Sequence, residues 1–168
     1  MIYDSPQSEE PIDQGDLIDA CPVAAIVDFH LDSLDTAKVE LDLHQVLVLT
    51  QTCDLANRKG DTAVVASVFD AQQLVDQKIL KAVDVKGPIR AGRVWGLYFL
   101  PAQSKLGLEE MIVDLRRLHT VRIDLLSALC RAGRRRGRVR PLYREHLARH
   151  FADTFSRIGL PQPYDTQG

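Results

Sequence analysis

The sequence is poor in the features that mark secreted, membrane-spanning and disulfide-built proteins. Its three cysteines, Cys21, Cys53 and Cys130, are scattered, form no CxxC pair and leave one thiol without a partner. No apolar run approaches the roughly 18 residues that cross a bilayer. The acidic, polar N-terminal segment is the opposite of a signal peptide. We therefore expect a reduced, cytoplasmic protein with no membrane association.

Charge is balanced overall but divided unevenly along the chain. Residues 1–61 hold 13 acids and 3 bases, a net of −10, whereas the remainder holds 10 acids and 18 bases, a net of +8. Within 116–149 there are 11 arginines. This basic end is suited to phosphate or to an acidic partner, and the alternative is that the two halves neutralise each other within the fold.

Short β-rich runs dominate the pattern. Residues 22–29 form an apolar run, and residues 36–43 alternate so that Val39, Leu41 and Leu43 share a face, which predicts a half-buried antiparallel strand. Further strands are predicted at 46–50, 62–69, 94–100 and 111–115. Residues 70–83 have near-helical spacing with Asp70 as N-cap, and helices are also predicted from Asp124 and from Tyr143.

These elements predict a mainly β (α+β) protein in three parts. Residues 1–13 are expected to be a flexible acidic leader, and residues 14–130 a small barrel with one inserted helix. Residues 131–168 are expected to form an Arg-rich loop and a C-terminal helix that packs on the barrel. The apolar stripe of that helix fits either packing within the chain or the seam of a homodimer.

Cys53 lies in the polar insert between two strands, where hydroxyls, an amide and Asp54 surround it. One interpretation makes Cys53 a reactive thiol served by His44 or His119 as base. The other makes it a small residue at a strand exit, with Asp54 capping the turn. His146, His150 and Asp153 have the spacing of zinc ligands, but flanking arginines favour solvent-facing side chains and we predict no metal site and no cofactor.

Four segments in order resemble the MazF/PemK-like proteins, small SH3-like barrels that include toxin endoribonucleases of toxin–antitoxin systems. The segments are Gly15-Asp16, Gln45–Leu49, Thr62–Ala66 and Ile112–Val121. The QTCDL loop is similar to that of a divergent bacterial branch of these proteins. The resemblance implies an SH3-like fold, cleavage or binding of RNA, and a place in bacterial stress or defence systems.

The resemblance also implies a site. The family's threonine corresponds to Thr62, whereas His44 occupies the position of its arginine and Gln45 that of its proline. Histidine can transfer protons during RNA cleavage, but it cannot replace the permanently charged guanidinium of arginine, which binds phosphate in a bidentate manner. The candidate phosphate-binding residues are arginines near the last strand and in the charge run: Arg116, Arg117, Arg134, Arg135, Arg136 and Arg138.

Three functions remain open from the sequence. The first is a non-catalytic or weakly active module that binds RNA or an operon-encoded protein partner. The second is a toxin-like endoribonuclease that cleaves single-stranded RNA with His44 and Thr62. The third is a thiol enzyme or sensor centred on Cys53.

Overall fold

A computed structural model describes residues 1–57 and 59–156, and it contains one seven-stranded sheet with helices on it. Arg58 and the end of the predicted tail, residues 157–168, lie outside the described part. The strands are β1 (Tyr3–Asp4), β2 (Asp16–Asp28), β3 (Lys38–Val48), β4 (Thr62–Asp70), β5 (Leu97–Leu100), β6 (Met111–Arg122) and β7 (Arg135–Val139). The mainly β, α+β prediction is confirmed.

All neighbouring strands are antiparallel, in the order β1-β7-β2-β3-β4-β6-β5. The sheet curls so that its two edges approach each other. The Tyr3 hydroxyl of β1 donates a hydrogen bond to the Pro101 carbonyl, just after β5, at 2.9 Å. Burial raises the pKa of that hydroxyl above its usual range. Residues expected to form a flexible leader therefore supply an edge strand, since the apolar ring of Tyr3 is buried in the core.

The helices cover the sheet from outside and at its ends. They are α1 (Thr52–Ala56), α2 (Ala71–Asp76), α3 (Ala82–Asp84), α4 (Ile123–Arg131) and α5 (Pro141–Phe155), with a π-helical turn at Val85–Ile89. The predicted Asp70 cap is confirmed, since its carboxylate accepts from Gln73 N at 2.6 Å. None of the helices in the described part combines the length and apolar character that a membrane-crossing helix needs.

Alternation along β3 and β4 divides the buried side chains between the two faces of the sheet. Leu47 and Leu49 join the cluster inside the curl, whereas Val46 and Val48 join the cluster under α4. Helix α5 adds Leu147, which is fully buried, and Phe151 to the inner cluster. Contacts within the chain therefore account for these two members of the α5 stripe.

The segment expected to be an Arg-rich loop is strand β7, and it lies between β1 and β2. Its arginines are neutralised by carboxylates of the N-terminal segment. Arg138 grips the fully buried Asp16 with two hydrogen bonds, Nε to Oδ1 at 2.6 Å and Nη2 to Oδ2 at 2.9 Å. Arg135 approaches the same carboxylate at 3.4 Å. Charge pairing, which sequence periodicity does not reveal, thus makes this run a strand.

Further arginine–carboxylate pairs lie around β7. Arg136 donates to Asp19 at 2.7 Å, and Arg140 donates to Asp4 at 2.7 Å. From α5, Arg144 donates to Asp13 at 2.6 Å. The acidic and basic halves of the sequence therefore meet inside the fold along one side of the sheet.

Strands β2 and β3 continue beyond the sheet as a two-stranded arm, which we define as residues 22–43. Strand β3 pairs with β4 through Gln45–Val48, and β2 pairs with β7 through Asp16–Ile18, so no other described strand pairs with either edge of the arm. It leaves the sheet at a bulge where Ala20 has a left-handed φ of 51°. The alternation predicted for residues 36–43 is present, but its expected half-burial is wrong, because in the described part of the chain no element covers residues 38–43.

We predict that Asp16→Asn lowers the free energy of unfolding by about 3–5 kcal/mol, because it removes the counter-charge closest to the largely buried guanidinium groups of Arg135 and Arg138. Urea denaturation measures this loss. The matched control is Asp4→Asn, whose pair with Arg140 is half-exposed and is worth about 0–1 kcal/mol. Equal losses in the two variants would contradict the central role of Asp16.

Candidate functional site

Two histidines and a serine meet on the outer face of the sheet, at the base of the arm. The Ser67 hydroxyl lies 2.8 Å from His119 Nε2 and 3.4 Å from His44 Nδ1. The two imidazole rings are 5.4 Å apart between centroids. Ser67 is fully buried, whereas both rings reach the surface in part. We call these three residues the histidine cluster.

Strand pairing creates this arrangement. Val46 of β3 is opposite Ser67 of β4, so His44, two residues earlier, projects on the same face as Ser67. Between Ala66 and Ser67 the register with β6 shifts from Leu118 to Asp114, which leaves a bulge of residues 115–117. The bulge brings His119 diagonally over Ser67. Bulges of this kind re-aim side chains and recur beside functional sites.

Hydrogen-bond chemistry links the two rings through one hydroxyl. A serine hydroxyl has one hydrogen, so when it donates to one imidazole nitrogen the other imidazole must donate an N–H to the serine oxygen. This chain of donors can pass a proton between the rings. Burial, with help from His44 and Arg117, lowers the pKa of His119, so its neutral form is favoured near neutral pH. The cluster therefore offers a neutral imidazole and a polarised hydroxyl.

Thr62 is not part of this cluster. It lies exposed at the start of β4, opposite Arg122, and five residues of strand separate it from Ser67. At about 3.3 Å per residue this is roughly 17 Å. The structure therefore does not bring together the His44 and Thr62 that the family resemblance pairs.

Cys53 and Asp54 lie on α1, which follows the C-terminal end of β3, and His44 lies within β3, four residues before that end. The exposed Cys53 thiol is 3.7 Å from Gln51 Oε1 and 3.7 Å from Asp54 Oδ1. The Lys59 ammonium, 2.8 Å from Asp54, holds the pKa of that carboxyl below its ordinary value. His44 and His119 contact each other and Ser67, so the predicted delivery of a histidine base to Cys53 is not seen.

The candidate phosphate-binding arginines divide into engaged and accessible groups. Arg135, Arg136 and Arg138 are bound to carboxylates of the N-terminal segment, as described above. The Arg134 side chain is exposed. Arg116 and Arg117 lie in the β6 bulge, where both pair with Asp114, at 2.9 and 3.7 Å, and remain about 60% exposed. Exposed positive charge therefore remains beside the histidine cluster.

His150 differs from the expectation that it faces solvent. It is 5% exposed, its ring stacks on Trp95, and its Nε2 lies 3.2 Å from the Val94 carbonyl. His146 contacts the Tyr98 hydroxyl at 3.2 Å. These histidines therefore attach α5 to the segment around β5. Among the described residues there is no group of three or more candidate metal ligands.

Sequence reasoning missed Ser67 and the link between His44 and His119. The available signal was a single serine inside the apolar run 62–69. Comparison with models of known protein families finds no match, and a search of curated proteins also finds none. The candidate site is therefore defined by its own geometry.

We predict that the histidine cluster makes folding stability depend on pH. Because the pKa of His119 is lower in the folded protein than in the unfolded chain, its contribution is complete above about pH 6.5 and is lost as the pH falls below that value. His119→Asn should therefore reduce the loss of unfolding free energy between about pH 7.5 and 5.5.

Chemical denaturation at the two pH values measures this difference. The control is Thr120→Asn, an exposed neighbour on the same strand, which should keep the pH dependence of the unmodified protein. An identical pH dependence in His119→Asn and the unmodified protein would contradict the prediction.

Proposed function

We propose that this chain is a divergent MazF/PemK-like module of a bacterial stress or defence system that acts in the cytoplasm by binding another protein chain. The β2–β3 arm is its binding surface. The observation that carries the proposal is the unburied apolar face of the arm. The curled antiparallel sheet and the order of the four family-like segments support the relationship to MazF/PemK-like barrels.

The arm presents its apolar side chains on one face. Residues directly opposite each other in an antiparallel pair project to the same side. The pairs on this face are Pro22 with Leu43, Ala24 with Leu41, and Ile26 with Val39. The four large side chains, Ile26, Val39, Leu41 and Leu43, are 56–70% exposed. A contiguous exposed apolar surface of this kind marks an interaction site.

Charge and backbone chemistry indicate what the arm binds. Residues 22–43 hold five acids and one lysine, a net of −4, which disfavours RNA and favours a basic partner surface. Among the described strands, none pairs with the edge of β3 that faces away from β2 at Lys38–His44. Its backbone groups can therefore pair with an added strand, as in β-augmentation. The expected partner is a protein segment that alternates apolar and basic side chains.

We predict that a short synthetic peptide of alternating valine and lysine binds the protein, whereas a valine–glutamate peptide does not. Fluorescence anisotropy of labelled peptides measures the affinity, which should fall with added salt. Leu41→Asp should weaken binding about tenfold or more, because burying a leucine side chain is worth about 1.5–3 kcal/mol.

The matched control is Leu142→Asp, because Leu142 on α5 is 73% exposed and Leu41 is 68% exposed. The control should bind the lysine peptide like the unmodified protein. Equal binding of the two peptides, or equal loss in the two variants, would contradict the assignment of the arm.

A second candidate function is cleavage of single-stranded RNA, which the histidine cluster favours. One neutral imidazole can accept the proton of a ribose 2′-hydroxyl while a protonated imidazole donates to the departing oxygen. Arg117, which is exposed and electrostatically coupled to His119, can stabilise charge on the phosphate. In this arrangement His44 acts with His119 and not with Thr62.

We predict that any cleavage of a labelled single-stranded RNA falls about 100-fold or more in both His44→Asn and His119→Asn. Thr62→Ala, which changes a residue roughly 17 Å from Ser67 along β4, should keep the activity of the unmodified protein. Loss of activity in Thr62→Ala but not in His119→Asn would contradict this site. Absence of cleavage in the unmodified protein would leave partner binding as the function.

A further inference from the structure

The tip of the arm, residues 28–35, combines exposed apolar side chains with carboxylates. Phe29, Leu31 and Leu34 are 54%, 80% and 59% exposed. Asp28, Asp32 and Asp35 are interspersed with them and are also exposed. The short 3₁₀ helix at Leu31–Thr36 buries none of its residues. The tip is thus a projection that carries both acidic and apolar side chains, and these side chains are exposed.

A cavity of opposite character lies beside the β6 bulge. It has a volume of about 230 Å³, and its apolar lining includes Phe69, Leu80 and Ile112. Arg116 and Arg117 stand at its edge, and Asp114 provides one carboxylate for both guanidinium groups. This volume is below the roughly 300–1,000 Å³ of small-molecule sites and suits one or two apolar side chains.

Lysines extend the positive charge of the cavity edge. Lys78 and Lys81 flank Ile79 and Leu80, two residues that line the cavity. Both lysines are exposed and have no ion pair among residues 1–57 and 59–156. The cavity therefore complements the tip in both charge and apolar character.

The tip of one chain is too far from its own cavity to fill it. Phe69 follows Val68, which pairs with Gln45, so the cavity lies near the base of the arm. Six residues of β3 separate His44 at the base from Lys38 near the tip. At about 3.3 Å per residue the arm carries its tip roughly 20 Å away from the base. A second chain is needed to occupy the cavity.

We infer that the tip of the arm docks into the arginine-edged cavity of a second copy of this chain. The inference rests on the proposed use of the arm as a protein-binding surface and adds a second copy as the partner of its tip. Leu31 and its apolar neighbours enter the cavity, while Asp28, Asp32 and Asp35 face Arg117, Lys78 and Lys81. A two-fold axis makes the contact reciprocal, so that each chain gives one tip and receives one.

A charge exchange between variants tests this assembly. In a dimer of Asp32→Arg, a basic tip faces the basic cavity edge at both contacts. In a dimer of Arg117→Glu, the acidic tip faces an introduced glutamate at both contacts. Each variant alone should dissociate at least tenfold more readily than the unmodified protein, because like charges face each other. In an equimolar mixture both contacts regain opposite charges, so a mixed dimer should form with restored affinity.

Sedimentation velocity over a range of protein concentrations measures these constants, and recovery on mixing shows that both variants are folded. The expected result is a salt-sensitive dimer for the unmodified protein, weakened variants and a restored mixture. A monomer at every concentration, single variants that dimerise normally, or a mixture that does not recover would overturn the inference. If the unmodified protein stays monomeric while the lysine peptide still binds the arm, the proposed function stands and the second copy is not its partner.

Discussion

The bidentate pairing of Arg138 with the buried carboxylate of Asp16 joins the N-terminal and C-terminal strands of the sheet. This pairing holds β7 against β2, and β7 in turn carries β1, so the N-terminal residues become the edge that curls toward β5. A buried charge is tolerated when hydrogen bonds and a counter-charge compensate its lost hydration. Here the Arg138 guanidinium supplies the counter-charge and two hydrogen bonds for the buried Asp16 carboxylate.

This pairing also redistributes the charge that the sequence displays. A chain with acids in one half and arginines in the other is suited to nucleic acid when the arginines are exposed. Arg138, Arg136 and Arg140 pair with Asp16, Asp19 and Asp4. The charge that remains accessible therefore lies elsewhere. Acidic side chains remain on the arm, and basic side chains remain near the β6 bulge. The two surfaces are complementary, which favours protein partners over RNA.

Local pattern predicted most of the strands, because alternation and β-branched residues are properties of adjacent positions. The run at 62–69 and the Asp70 cap appear nearly as predicted, whereas the runs at 36–43 and 46–50 form the single strand β3. Strand β7 was not predicted, because an arginine-rich run becomes a strand through carboxylates more than 100 positions away. The histidine cluster escaped for the same reason, since His44, Ser67 and His119 meet through strand register.

The arm shows where a correct strand prediction gave a wrong expectation of burial. Alternation along residues 36–43 predicts a strand with one apolar face that is buried by a contact. The pattern does not indicate whether that contact lies within the chain or with another chain. Val39, Leu41 and Leu43 keep the pattern of a half-buried strand while remaining more than half exposed. We interpret this difference as an interface whose partner belongs to another chain.

The most direct test of this interpretation is hydrogen exchange at the free edge of the arm, followed by mass spectrometry with and without the lysine peptide. Our account predicts that amides of residues 38–43 exchange rapidly in the protein alone and become protected when the peptide binds the edge of β3. The protected amides of β4 serve as an internal reference. Fast exchange of residues 38–43 in the presence of saturating lysine peptide would contradict the account.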